Sequence, residues 1–255
     1  MSRPNHDDKT VDFGFENIPL EEKTARVRSL FSGVAAKYDV MNDAMSLGLH
    51  RVWKKRFVAE LPLRRNMRVL DVAGGTGDIS AEMLCRRSDI RICLADICDD
   101  MLRRGREKLR EAFPPGEGRI LPAFHCVDAQ SLPYADNAFD VYTIAFGIRN
   151  VADKARALAE AYRVLKPGGT FACLEFSTVE HPLLAKAYNA YAFGCLPIMG
   201  KLLANNPDAY RYLAESIAVF PDAETFEATI KSARFKRTRR RPMSGGVVCV
   251  HTGMK

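Results

Sequence analysis

Asp71, Asp78, Asp96 and Asp128 are the side chains most able to do chemistry together, and a Gly74-Gly75-Thr76-Gly77 turn lies between the first two. Each falls at or just after a segment that reads as a strand, such as Val69, Leu70 and Val72 before the turn or Ile90 to Ala95 before Asp96. Ionised carboxylates accept hydrogen bonds and donate none. Four of them would repel a pyrophosphate, but they suit a ligand rich in donors: an adenine amino group, a ribose diol, an ammonium. S-adenosylmethionine carries all three, and a sulfonium besides. Any one of these aspartates alone is more often a helix cap or turn former than a ligand contact. Their gathering at one sheet edge, beside glycines that let backbone approach a ligand, is what favours a cofactor site.

The spacing narrows the cofactor. Gly75 and Gly77 match two glycines of the dinucleotide fingerprint, but the third position is Ser80, where glycine would let helix and strand pack closely around a pyrophosphate. No strand is followed by Gly-x-x-x-x-Gly-Lys-[Ser/Thr], which argues against a nucleotide triphosphatase. Asp96, nineteen residues beyond Gly77, is placed to accept from both ribose hydroxyls.

Positioning these residues requires alternating strands and helices. Strands are expected near 68–73, 90–95, 120–127, 139–146 and 169–176, and helices near 78–87, 99–112 and 153–164. Lys166-Pro167-Gly168-Gly169 reads as a helix stop and turn. The alternation predicts an α/β, Rossmann-like fold with a mostly parallel seven-stranded sheet and helices on both faces. Residues 1–62 are expected to form a helical cap, with Val27, Leu30, Phe31, Val34, Ala35 and Tyr38 at helical spacing and a second helix from Leu49 to Leu61. Residues 63–177 make the cofactor-binding core. Residues 178–222 read as a helical, aromatic-rich insert over the carboxyl edge of the sheet, broken at Pro197, Gly200 and Asn205-Asn206-Pro207. A closing helix near 223–233 and strands near 235–241 and 246–252, joined by the Pro242 to Gly246 turn, complete a single domain of 255 residues.

With 47% hydrophobic residues the chain can bury a sizeable core. The polar Met1 to Thr10 segment shows no signal peptide, and no stretch of about 18 apolar residues exists to span a membrane. Seven scattered cysteines, with no Cys-x-x-Cys, read as thiols in a reducing compartment, with Cys85, Cys93, Cys126 and Cys173 as buried small hydrophobes. Five histidines show no metal spacing, so no metal is expected. The net charge of +7 gathers partly at Lys236-Arg237-Thr238-Arg239-Arg240-Arg241. A solvated edge strand is the plain reading, and anionic lipid or nucleic acid are the functional ones.

Longer motifs resemble a known family. Tyr38-Asp39-Val40-Met41-Asn42-Asp43-Ala44-Met45-Ser46-Leu47-Gly48-Leu49-His50-Arg51-Val52-Trp53 is similar to the first signature of the quinone C-methyltransferases of ubiquinone and menaquinone synthesis. Arg163 to Gly169 with Leu174-Glu175-Phe176-Ser177 resembles the second, and Phe146-Gly147-Ile148-Arg149-Asn150 the segment after the fourth strand. The resemblance, from about Val11 to the C-terminus, implies a class I methyltransferase fold, S-adenosylmethionine as cofactor and C-methylation of a polyprenylated benzoquinol or naphthoquinol. It implies cofactor contacts by Thr76, Asp96, Asp128 and Ala129, beside Gly75 and Gly77, whose turn lets the backbone approach the ligand. Some members place a serine where this chain has Ala145, which leaves Ala145 a backbone contact. It also implies catalysis by Arg149 and Asn150, with Tyr38 and Asn42 near the substrate. A guanidinium stays protonated, so Arg149 is expected to stabilise a quinol phenolate rather than accept its proton; a water held by Arg149 and Asn150 would carry the proton away. The plain alternative is that Arg149 pairs with an acid and Asn150 caps the helix near Asp153.

A greasy insert bearing Tyr188, Tyr191, Phe193 and Leu196 fits a polyprenyl tail. A cytoplasmic protein, peripheral on the inner face of the membrane, is expected to result. A quinone-synthesis complex and a homodimer are further expected partners, and nucleic acid is not. Two rival functions remain open. A nucleic-acid methyltransferase would suit the basic run, but it usually carries Asn/Asp-Pro-Pro-Tyr/Phe after the fourth strand. A non-catalytic subunit would not need the acidic set and Arg149-Asn150.

Overall fold

The computed structural model describes residues 10–114, 120–179 and 207–255, with positions 182, 185, 186, 190, 191 and 194 between the last two segments. It opens with a hairpin that periodicity did not reveal, β1 (Thr10–Phe13) and β2 (Glu16–Pro19). Four-residue strands are too short for alternation to register. The N-terminal helices follow: α1 (Leu20–Val34), a 3-10 turn over Ala35–Lys37, α2 (Tyr38–Ser46) and α3 (Leu49–Ala59).

Strand and helix then alternate as the hydrophobic pattern dictates: β3 (Arg68–Val72), α4 (Asp78–Arg86), β4 (Arg91–Asp96), α5 (Asp99–Ala112), β5 (Ala123–Cys126), β6 (Phe139–Ala145), α6 (Lys154–Val164) and β7 (Leu165–Phe176). α7 (Pro207–Ala218), α8 (Ala223–Ser232), β8 (Lys236–Met243) and β9 (Val248–Met254) close the chain. The large sheet has seven strands in the order β5-β4-β3-β6-β7-β9-β8. Its β5-β4-β3-β6-β7 run is parallel, and β9 enters antiparallel between β7 and β8. This is the expected mostly parallel, Rossmann-like architecture of a class I methyltransferase. The chain runs one way from β3 to β5 and the other way from β6 on, so the carboxyl ends of β3 and β6 flank a switch-point crevice.

Alternate residues of each strand feed two cores. Val69, Leu94, Val141 and Leu174 pack with α3, α4 and α5 on one face. Leu70, Tyr142, Phe171 and Cys173 pack with α6 and α8 on the other. Lys166-Pro167-Gly168-Gly169 corrects the expected turn: it lies inside β7, as an irregularity where pairing with β6 skips from Phe139↔Leu165 to Val141↔Thr170. Gly168, at φ 76°, supplies the left-handed residue that a bulge needs. Two cysteine expectations also fail: Cys85 and Cys126 are exposed. Of the expected insert, helix α7 is present, whereas Tyr188, Phe193, Cys195, Leu196 and the breaks at Pro197, Gly200 and Asn205-Asn206 lie outside the described residues.

Candidate active site

The turn after β3 brings the chain back under α5. Gly77, at φ 82°, is the N-cap of α4, and Gly75 also has positive φ. Gly105 sits in the middle of α5, where glycine costs about 1 kcal/mol relative to alanine. A Cβ there would lie 2.9 Å from the Gly75 carbonyl oxygen and 3.2 Å from the Thr76 carbonyl carbon. Helix and turn therefore touch backbone to backbone.

Beside this contact a cavity of about 710 Å³, its open mouth included, lies over β3, β4 and β6, within the size range of small-molecule sites. Gly75, Asp96, Asp128, Ala129 and Ala145 line it, joined by Tyr38 and Asn150. Helix α1 contributes Thr24, Val27 and Phe31, and α5 contributes Met101. Asp96 accepts from the Gly75 N–H and the Cys98 N–H, both at 2.9 Å, which aims its carboxylate along the crevice. Burial raises its pKa against those backbone donors. A buried carboxylate with lone pairs to spare is what a ribose diol satisfies. Asp128 is held by the Gln130 N–H at 2.8 Å, and Gln130 Oε1 in turn accepts from the Asp153 N–H at 2.8 Å. Acidic acceptors at one end and apolar side chains between them fit S-adenosylmethionine.

The set of four aspartates divides. Asp71 is fully buried and accepts from Ser80 Oγ at 2.7 Å and Thr143 Oγ1 at 2.9 Å, tying β3 to α4 and β6. Burial pushes its pKa up to about 6. Asp78 accepts from Lys54 and Lys108, each at 2.6 Å. Burial acts to raise its pKa, but the two ammonium groups outweigh that and hold it well below the usual carboxylate range. Lys108 also donates to Asp39 at 2.6 Å, and Asp39 accepts from Thr76 Oγ1 at 3.0 Å. This chain of ion pairs straps α2 and α3 across the glycine turn.

A second cavity lies against the first. Tyr38 and Phe146 line both, so they form the partition. Its walls include Asn42, Met45 and His50 from α2 and α3, then Arg149, and Leu213 and Ile217 from α7. Trp53, Phe146 and Phe176 are in ring contact with one another, at centroid separations of 4.9 to 6.3 Å. Flat aromatic walls suit a flat ring. Burial pushes the Tyr38 phenol up to about 12, so it stays protonated.

Arg149 and Asn150 occupy a 3-10 turn after β6 and are both 7% exposed. Arg149 Nη1 donates to Glu175 Oε1 at 2.8 Å and to the Phe146 carbonyl, while Nε is buried with no hydrogen-bond partner among the described residues. Glu175 is fully buried and also accepts from the Phe176 N–H at 2.9 Å. Asn150 Oδ1 accepts from Tyr212 of α7 at 3.1 Å. Helix α6 is capped by Asp153, which accepts from the Arg156 N–H.

With this geometry in hand, likeness to known proteins decides the lineage. A profile of the ubiE/COQ5 methyltransferase family matches residues 6–255. The chain belongs to that family. It is 48% identical over 248 residues to the ubiquinone/menaquinone biosynthesis C-methyltransferase UbiE of Marinomonas sp., covering 97% of each chain. With the protein of the same name from Azotobacter vinelandii it shares 47% over 258 residues, the full length of both. Among solved structures, the [4+2]-cyclase SpnF aligns with TM-score 0.60 at 18% identity, over 91% of this chain and 96% of that one. A SAM-dependent methyltransferase from Aquifex aeolicus aligns with TM-score 0.53 at 18% identity, over 79% and 88%. A cyclase and a methyltransferase on one scaffold show that these two likenesses speak to fold alone.

For this ubiE/COQ5 family member, the structure distributes the residues named from sequence over two chambers. Gly75, Asp96, Asp128, Ala129, Ala145 and Asn150 line the first, Asn42 and Arg149 the second, and Tyr38 both. Thr76 and Gly77 line neither: Thr76 anchors Asp39 and Gly77 starts α4. Sequence reasoning passed over Gly105, although an isolated glycine within a strong helical pattern is itself a signal of close packing. It also passed over His50, on the wall of the second chamber, and Glu175, the partner of Arg149. No local pattern announces a pair 26 positions apart.

Proposed function

We propose that this enzyme uses S-adenosylmethionine to methylate a ring carbon of a polyprenylated benzoquinol, of the 2-methoxy-6-polyprenyl type, in respiratory quinone biosynthesis, with demethylmenaquinol as a second acceptor. Full-length identity to relatives named for both quinones supports this. The observation that carries the site assignment is the pair of chambers divided by Tyr38 and Phe146, with acids on one side and Arg149 on the other. When bound, S-adenosylmethionine supplies an electrophilic methyl group on a sulfonium.

The protein's part is to hold and activate the ring. Gly75, Asp96, Asp128 and Ala129 hold the donor. Arg149 Nε, buried and unpartnered among the described residues, is a donor for a quinol oxygen and lowers that oxygen's pKa by stabilising the phenolate. Glu175 fixes the guanidinium in place. Asn150, held by Tyr212, reaches the donor side of the partition. A phenolate is electron-rich at its ortho carbon, whereas an oxidised quinone is not. The apolar walls keep the site dry, which favours a step in which opposite charges neutralise.

The tail and the bilayer concern the outside of the second chamber. At the α2–α3 corner Leu47 is 76% exposed, and Leu49 and Val52 are 46% exposed. Lys55 and Arg56 are exposed on the same helix as Leu49 and Val52. An apolar tip flanked by cations is the composition of a peripheral membrane contact. The basic run on β8 contributes less than its charge implies: Arg240 pairs with Glu224 and Glu227, and Arg241 with Glu60. Among the described residues no helix is long and apolar enough to cross a membrane. Incubating the protein with both ring types and identifying the methylated product by mass spectrometry tests the substrate assignment. Ring methylation of neither would refute it.

A further inference from the structure

One residue on the wall of the second chamber, His50, carries a buried nitrogen that the methyl-transfer step leaves unused. His50, on α3, is 7% exposed and lines the chamber that holds Arg149. Its Nε2 lies 2.9 Å from Asp43 Oδ1, and its Nδ1 is buried with no hydrogen-bond partner among the described residues. Arg51 clamps the same carboxylate through Nε at 2.7 Å and Nη2 at 2.6 Å. Asp43 is thereby held, by Arg51 first and His50 second, well below the usual carboxylate range. An ionised carboxylate only accepts. The proton between the two therefore resides on His50 Nε2, and Nδ1 keeps a bare lone pair. The His50 backbone N–H donates to Ser46 Oγ at 3.2 Å, which further fixes the start of α3 against α2.

C-methylation leaves a proton to remove. Once the ring carbon carries the new methyl group it is tetrahedral and still holds its hydrogen. Aromaticity returns when that C–H bond breaks, its electron pair re-forms the ring double bond, and the dienone oxygen becomes a phenolate again. The phenolate then takes a proton and leaves as the quinol. Arg149, always protonated, cannot accept the carbon-bound proton. We propose that His50 Nδ1 accepts it, with Asp43 as the positioning residue that holds the ring and balances the imidazolium. The imidazolium gives its proton to solvent after product leaves, so one proton is released per methyl transferred. This rests on the methyl-transfer reading above.

The charged groups around His50 set its working range. Burial acts first to lower its pKa, Lys54 on α3 adds to this, and Asp43 on α2 and Asp78 on α4 oppose it. The net effect lies below the ordinary histidine value, so the ring is neutral and able to accept at neutral pH. Arg149, on the wall supplied by the turn after β6, adds a further positive charge to the chamber.

The test compares full-length wild type with His50→Gln, using a reduced short-tail quinol that carries hydrogen or deuterium on the methylated carbon. His50→Gln is expected to bind S-adenosylmethionine normally by calorimetry and to lose roughly 100-fold or more in kcat. It should show a primary deuterium isotope effect larger than wild type, and it should lose the acid limb of the kcat–pH profile. Asp43→Asn should lower kcat by a smaller factor. In wild type, NMR of the histidine ring nitrogens should find the His50 proton on Nε2, a reading that needs no variant to fold. A His50→Gln enzyme with wild-type kcat, a kcat loss without any change in isotope effect, or a proton on Nδ1 would each overturn the inference. Wild type that transfers no methyl group would remove the underlying reading, and the inference with it.

Discussion

Arg149 pairs with Glu175 and, in the function proposed above, also stabilises the quinol phenolate, so a substitution there must separate the two. Removing the side chain strands the fully buried Glu175 carboxylate, so Arg149→Ala should destabilise the fold by about 3–5 kcal/mol and confuse any reading of activity. Arg149→Lys keeps the ion pair but cannot present a second fixed donor beside it. It should retain S-adenosylmethionine affinity by calorimetry while losing most of kcat; unchanged turnover would end the assignment to phenolate stabilisation. Asp71 makes a different residue-scale prediction. Its folded pKa of about 6 lies above the unfolded value near 3.8. Its favourable contribution is therefore complete below the unfolded pKa and is lost as pH rises through about 6. At pH 8 the fold carries an ionised buried carboxylate at a cost on the order of 2–3 kcal/mol. Asp71→Asn, able to keep hydrogen bonds to Ser80 and Thr143, should raise the denaturation midpoint at pH 8 and change it little at pH 4. Destabilisation at both pH values would show that the hydrogen-bond tie outweighs the charge.

At the scale of elements, α5 is set against the glycine turn by one missing methyl group. Gly105→Ala improves helix propensity by about 1 kcal/mol but puts a Cβ 2.9 Å from the Gly75 carbonyl. If close packing decides, S-adenosylmethionine affinity should fall about tenfold or more, equivalent to about 1.4 kcal/mol, and thermal stability should not rise. Stability that rises with affinity intact would mean the contact is slack. The same element shows what sequence can and cannot tell. α5 and the strand before it, β4, were legible because the helix carries a long amphipathic period and the strand a continuous apolar run ending on Asp96. The bulge at Lys166–Gly169 was not: Pro and Gly look alike in a turn and in a strand irregularity. The N-terminal hairpin was too short to show a period. For the site, Gly75, Asp96 and Asp128 were legible because strand ends and a glycine turn mark a crevice by themselves. Asp71 and Asp78 carry the same local signature, yet they bind Ser80, Thr143, Lys54 and Lys108. Only the packing of α3, α5 and β6 around β3 and α4 distinguishes an aspartate that lines the cavity from one that serves as a strap.

At the scale of the molecule, two chambers share one wall, and the helices α2 and α3 that line the second carry exposed Leu47, Leu49 and Val52 at their corner. Replacing Leu47, Leu49 and Val52 by glutamate should abolish co-sedimentation with anionic vesicles at low salt, while methylation of a short-tail, soluble quinol stays within a few-fold of wild type. Vesicle binding that survives these changes would move the membrane contact to another surface. In the proposed reaction a reduced, electron-rich ring receives a methyl group on carbon from S-adenosylmethionine. The most direct measurement follows methyl transfer to a short-tail quinol kept reduced, to the same ring kept oxidised, and to RNA. The expected result is a methylated ring carbon from the reduced form alone. Equal methylation of the oxidised ring, or transfer to RNA with none to the quinol, would contradict it.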